Sequence, residues 1–131
     1  RYVHQEEQLG TGHAVTQTQE TLEGASDHVI VIYADMPLLR AESLQSLYQA
    51  QKANQDGPIT MLTVITDTPR GFGRIVRAEN DSVQAIVEQA DATPEQLAVR
   101  EVNPGVYCFD ADWLWSHLDS AHCPSFPTTR R

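Results

Sequence analysis

Cysteine is scarce: only Cys108 and Cys123 occur in the 131 residues, without a paired spacing that suits zinc and too few for a disulfide framework. Both are expected as free thiols, with Cys108 buried in a strand, as free cysteine usually is. Basic residues are also few. Nine Lys and Arg stand against eighteen Asp and Glu, a formal net charge of -9. Binding a polyanion relies on clustered cations, so a nucleic-acid partner is excluded, and any phosphate-bearing ligand needs a metal or local cations. No apolar run is long enough to span a bilayer, and the start lacks the basic-then-apolar pattern of a secretory signal. These absences exclude a membrane partner and point to the cytoplasm. Also missing are a Walker loop, a dinucleotide fingerprint, a Gly-x-Ser-x-Gly elbow and any histidine pattern with metal-ligand spacing.

What is present suits one α/β domain, since the 40% apolar share is ordinary for a chain able to close a core. Arg1 to Val3 reads as the end of a strand. A polar, Gly-bearing turn at Gln5 to Gly12 then leads into a helical stretch through about Leu22. His28 to Tyr33 is a continuous β-branched run, the pattern of a strand buried on both faces in a parallel sheet, and it stops at Ala34-Asp35-Met36-Pro37. Leu44, Leu47, Tyr48 and Gln51 fall at helical spacing within Ala41 to Ala53. A strand is expected over Ile59 to Ile65, and a hairpin of Arg74 to Arg77 with Val83 to Glu88 around a polar turn. Thr93-Pro94-Glu95-Gln96 carries a capping box for a short helix. Two apolar runs, Val99 to Val102 and Val106 to Phe109, bracket Asn103-Pro104-Gly105. Asp110 then caps a helix whose Trp113, Leu114 and Leu118 share a face.

Asp35 is the sharpest chemical signal. It lies just past a strand's carboxyl end, where open α/β sheets place ligand crevices and a carboxylate can hold Mg²⁺ against a phosphate; an Asp before Met-Pro is also an ordinary turn former. Gly10-Thr11-Gly12 and Gly71-Phe72-Gly73 permit close backbone approach to a ligand, yet taken alone each reads more readily as a plain helix-entry loop or turn. Glu88 at a strand end and Asn103 before Pro104 have the same two readings.

Taken in order, QEEQLGTGHA at Gln5 to Ala14, VIYADMPLL at Val31 to Leu39, LTV at Leu62 to Val64, GFGRIVR at Gly71 to Arg77, IVEQADAT at Ile86 to Thr93 and EVNPGVY at Glu101 to Tyr107 resemble one family. It is the uridyltransferase domain of the bifunctional bacterial N-acetylglucosamine-1-phosphate uridyltransferases and glucosamine-1-phosphate acetyltransferases. The resemblance implies a truncated Rossmann-like nucleotidyltransferase domain over residues 1-118, a mixed sheet with an antiparallel hairpin section. Residues 119-131 form a tail that does not match the family. The implied activity joins UTP and N-acetylglucosamine 1-phosphate into UDP-N-acetylglucosamine, a cell-wall precursor, and pyrophosphate, with magnesium as cofactor. A homotrimer is expected only with the acetyltransferase domain, which this sequence lacks.

Roles carry over position by position. Gln5, Gln8, Gly10 and Thr11 correspond to residues that recognise the uracil and line the nucleotide side. Tyr33 and Ala34 flank Asp35, which corresponds to the metal aspartate and catalytic position. Gly73, Glu88 and Asn103 correspond to positions that hold the N-acetylglucosamine part. Four departures stand out: Ala34 for the usual glycine, Phe72 for tyrosine, Ala90 for a common lysine, and Pro104 for threonine, which removes a backbone donor beside Asn103. The family's basic Gly-rich loop is expected to precede Arg1 and its second magnesium ligand, an asparagine, to follow the present end, so the isolated chain is expected to be inactive. Two other readings remain open at this level: a nucleotidyltransferase for another sugar or base, and a non-catalytic sugar-nucleotide-binding remnant.

Overall fold

The structure, a computed structural model, describes residues 1–54 and 57–118. Cys123 and the tail over 119–131 lie outside the described residues. Ten elements follow one another: α1 (Thr11–Thr16), α2 (Gln19–Leu22), β1 (His28–Val31), α3 (Ala41–Ala53), β2 (Ile59–Ile65), β3 (Gly73–Arg77), β4 (Val83–Val87), α4 (Pro94–Leu97), β5 (Glu101–Asp110) and α5 (Ala111–Leu118). No described helix is long and apolar enough to cross a membrane.

The α/β class and the hairpin section are as expected, and β5 is the strand that organises them. It pairs antiparallel with β1, β2 and β3, and β3 pairs antiparallel with β4. Residues 107–109 of β5 have partners in both β1 and β2, so those two strands flank β5 on opposite edges and run parallel to each other without touching. β1 therefore departs from the expected doubly buried strand of a parallel ladder. Val29 is buried while Ile30 is 39% exposed. The apolar run reported β-branched composition and partial burial, neither of which specifies strand direction.

Alternation along β5 sends side chains to two faces. Val106 and Cys108 are fully buried and meet Leu47 of α3, with Leu44, Tyr48 and Leu62 against them. Cys108 is a free thiol, and burial pushes its pKa up. On the other face Val29 packs with Ala111, Leu114 and Trp115, joined by Val15, Leu22, Val31 and Phe109. Helix α3 thus covers one face of the sheet and α1, α2 and α5 the other, which buries the apolar side of every longer helix.

Local chemistry explains most boundaries. Thr93 accepts from the Gln96 N–H and Gln96 returns a bond to the Thr93 N–H, closing the capping box ahead of α4. Asp110 Oδ1 accepts the Trp113 N–H at 2.8 Å and starts α5 as expected. Three local readings are corrected. The first helix starts at Thr11 and is split, because Thr18 turns its hydroxyl back onto the Val15 carbonyl at 2.7 Å and interrupts the ladder. Arg1 to Val3 forms no strand, and Tyr2 is fully exposed. Finally, the two runs expected on either side of Pro104 are a single ten-residue strand, β5.

Candidate active site

The continuity of β5 through Pro104 creates the site. One edge of β5 is taken along its length by β2; the other is shared, with β1 on residues 107–110 and β3 on residues 102–103. Between them the edge forks open at Pro104 to Val106. Proline is tolerated there because no ladder partner calls for its missing N–H. On the β2 side, Leu62 faces Val106 and Val64 faces Val102, so Thr63 alone spans three residues of β5, a bulge centred on Asn103 to Gly105.

Gly105 sits in this bulge at φ 80°, a left-handed conformation that favours glycine. The Tyr33 ring lies directly on it, and a Cβ at this position would overlap the ring. Asn103 folds over the bulge: its Oδ1 accepts the Gly105 N–H at 3.0 Å, and its Nδ2 donates to the Tyr107 hydroxyl at 2.7 Å. Tyr107 is half-buried. Burial pushes its phenol pKa up, the Asn103 bond opposes this, and Tyr33 and the Glu88 carboxylate add to the rise.

Gly73 is paired with Asn103 across the β3–β5 ladder. It leaves room for its neighbours on β4 and beyond: a Cβ on Gly73 would stand 2.9 Å from Ile86 Cγ2 and 3.1 Å from Glu88 Oε1. Glu88 Oε1 thus lies over Gly73, the ladder partner of Asn103. The preceding turn is braced by Gln89, whose Oε1 accepts the Gly71 N–H at 2.8 Å and lies 3.5 Å from Arg74 Nη2. Arg74, buried, also donates to the Phe72 carbonyl. Phe72 is 45% exposed on this turn.

From the other side, the start of α1 closes the cleft. Thr11 lines it together with Tyr33, Gly105 and Tyr107, and it continues towards Phe109 and Trp113 as an apolar cleft of about 250 Å³. A broader groove of about 420 Å³ between α3 and β2 is lined by none of the candidate site residues. Gly10 caps α1 at φ 108°. Gln5 is half-buried, but its amide nitrogen lies 3.3 Å from the Gly10 carbonyl and 2.8 Å from His13 Nδ1, so it ties the loop to the helix.

Among the sequence-predicted residues, then, Thr11 and Tyr33 line the cleft, while Gly73 and Asn103 are ladder partners at its side with Glu88 Oε1 close to Gly73, and the Asn103–Tyr107 bond links the two sets. Gln5 and Gly10 shape the loop beside Thr11. Gln8, Ala34 and Asp35 are exposed, and among the described residues the side chains of Gln8 and Asp35 make no bond to the group. Asp35 stands two residues beyond Tyr33 in the turn after β1, and no cation pairs with it among the described residues. No set of three or more His, Cys, Asp or Glu able to hold a metal occurs among the described residues. A single exposed carboxylate of this kind suits Mg²⁺, which keeps much of its water and takes further oxygens from substrate phosphates, rather than a metal that needs a protein cage.

Sequence reasoning missed Tyr107 and Gly105. Their signal was present in Asn103-Pro104-Gly105-Val106-Tyr107, where alternate positions share a face once the strand is allowed to run through the proline.

Comparison with known proteins bears on the family and the fold. A family model described as nucleotidyl transferase matches residues 1–124. The chain is 48% identical over 118 residues to the bifunctional protein GlmU of Trichlorobacter lovleyi, covering 90% of the chain and 25% of that relative. Against the bifunctional protein GlmU of Solibacter usitatus it is 44% identical over 117 residues, covering 89% of the chain and 25% of the relative. It spans about a quarter of the length of the curated relatives it matches. Two solved structures share the fold. CMP:2-keto-3-deoxy-manno-octonic acid synthetase complexed with CTP gives a TM-score of 0.65 at 16% identity, over 83% of this chain and 47% of that one. Apo UDP-glucose pyrophosphorylase gives 0.62 at 18% identity, over 92% and 45%.

Proposed function

Because this chain belongs to the nucleotidyl transferase family, we propose that it supplies the sugar side of a uridyltransferase site, one that joins UTP and N-acetylglucosamine 1-phosphate into UDP-N-acetylglucosamine and pyrophosphate. The observation that carries the reading is the grouping of Gly73, Glu88 and Asn103 at the β3–β5 pairing, joined by the Asn103–Tyr107 bond to the cleft that Tyr33 and Thr11 line.

In this reading Gly73 gives the sugar access to the sheet, and Glu88 and Asn103 bond its hydroxyls and amide. Thr11, with Gly10, Gln5 and Gln8, forms the nucleotide side. The nucleophile is a phosphate oxygen of the sugar phosphate, already anionic at neutral pH, so no general base is demanded; the residues act by holding it in line with the α-phosphorus of UTP. Asp35 would hold magnesium, which when bound supplies neutralising charge to the phosphates. No Lys or Arg lines the cleft among the described residues. The cleft thus offers little to neutralise a triphosphate, and turnover by this chain is expected to be low.

The test is calorimetry of the chain with UDP-N-acetylglucosamine, alongside a pyrophosphate-release assay with UTP and N-acetylglucosamine 1-phosphate. Binding that Glu88→Ala weakens at least tenfold, with pyrophosphate release no higher than an Asp35→Ala control, is expected. A chain that does not bind, or a Glu88→Ala variant that binds as wild type, overturns the reading.

A further inference from the structure

The hydrogen bonds around Asn103 fix directions that side-chain amides usually leave open. Carboxamide oxygen and nitrogen are hard to tell apart by shape alone, and their assignment rests on the groups they meet. Here one partner decides it. The Gly105 N–H can only donate, so the atom facing it at 3.0 Å must be the amide oxygen. The amide nitrogen then faces the Tyr107 hydroxyl at 2.7 Å and donates to it. A phenol oxygen that receives this bond still has its own proton to place, and no acceptor for that proton is present among the described residues. Tyr107 lines the cleft beside Tyr33 and is close enough to Glu88 to feel its charge, and Asn103 is paired with Gly73 across the ladder.

We propose that Tyr107 is a further ligand-binding residue of this site: its hydroxyl donates a hydrogen bond to a hydroxyl or carbonyl oxygen of the bound sugar, and Asn103, as a positioning residue, sets its direction. The proposal rests on the sugar-binding reading given above. The half-buried hydroxyl carries a proton with no protein acceptor among the described residues, and a sugar oxygen arriving in the cleft accepts it as water is displaced. The raised pKa of the phenol keeps that proton in place across neutral pH. Asn103 has a second amide hydrogen and can also touch the sugar, so its two roles are compatible.

The experiment is calorimetry with N-acetylglucosamine 1-phosphate and, separately, uridine monophosphate, on wild type, Tyr107→Phe, Asn103→Asp and the double variant, with circular dichroism as the fold check. Tyr107→Phe removes one hydrogen bond and is expected to weaken the sugar phosphate by about fivefold to tenfold, leaving uridine monophosphate within about twofold. Asn103→Asp keeps an acceptor for the Gly105 N–H but places a second acceptor against Tyr107, which reverses that bond and turns the hydroxyl proton away from the ligand. Its effect should shrink once Tyr107 is already Phe, as expected of a hydrogen-bonded pair; the loss confined to the sugar phosphate, with uridine monophosphate spared, is the readout that a merely structural role would not produce.

Wild-type binding of the sugar phosphate with Tyr107→Phe unchanged, losses equal for both ligands, or effects that simply multiply would each overturn the proposal while leaving the sugar-binding reading intact. Failure of wild type to bind the sugar phosphate removes both.

Discussion

Gly105 meets two demands, since it holds a left-handed backbone and leaves the space that the Tyr33 ring fills. These demands separate experimentally, because Gly24 has a similar φ of 71° but open space where its Cβ would go. Gly24→Ala should lower stability by about 1–2 kcal/mol from the backbone alone. Gly105→Ala should lose at least about 1 kcal/mol more, as an overpacked ring must leave its seat. Urea unfolding of the two variants checks this, and equal losses would mean that Tyr33 does not rest on the bulge. At this scale the motifs were informative: Gly73 and Asn103, picked from separate segments, are ladder partners with Glu88 beside Gly73, and Tyr33 lies on Gly105. Tyr107 was not legible, because Pro104 suggested a turn and hid the alternation that puts Asn103 and Tyr107 on one face.

Between elements, the pair that ties the hairpin to the central strand is Arg77 of β3 with Glu101 of β5. The contact is a two-pronged fork, Nε to Oε2 at 2.8 Å and Nη2 to Oε1 at 2.7 Å. That bond holds the Glu101 carboxyl below its usual value near 4.5, against the opposing effect of burial, and the same bond raises Arg77. A depressed carboxyl adds stability that is fully present above its unfolded pKa and is lost as pH falls through the folded one. The pair's contribution should therefore be complete at neutral pH and fade below about pH 4.5. With the Arg77 side chain 35% exposed, screening by water keeps it modest. Arg77→Ala should cost about 1 kcal/mol at pH 7 and flatten the acid limb of the stability curve. An acid limb unchanged in the variant would assign that loss of stability to other carboxyls. Element types were read well where a local code exists: α3 and β2 have the expected bounds, and the capping box of α4 is formed. They were read less well where a hydroxyl bond to the backbone split the first helix.

At the scale of the whole molecule, the pairing of strands was the least legible feature. β5 comes last among the strands yet neighbours β1, β2 and β3, and the contacts that place it link residues as far apart as Val29 and Phe109. Periodicity reports which face of an element is buried; it carries no information about which distant strand lies alongside. Charge is the opposite case, a global property read from composition alone. A chain with a net charge of -9 repels a sugar-phosphate dianion, and the cleft offers it no Lys or Arg among the described residues. Monovalent salt screens that repulsion over a Debye length that shortens from roughly 14 Å near 0.05 M to about 6 Å near 0.3 M. Affinity for N-acetylglucosamine 1-phosphate without divalent cations should therefore rise, by about twofold, over that range, the reverse of the trend at a basic site. With magnesium present the rise should vanish if, as proposed, Asp35 would hold the ion, whose charge would offset the repulsion locally. Calorimetry across the two salt series decides the matter: affinity that falls with salt when magnesium is absent would show that a local cation, and not the field of the whole acidic chain, governs the approach of the ligand.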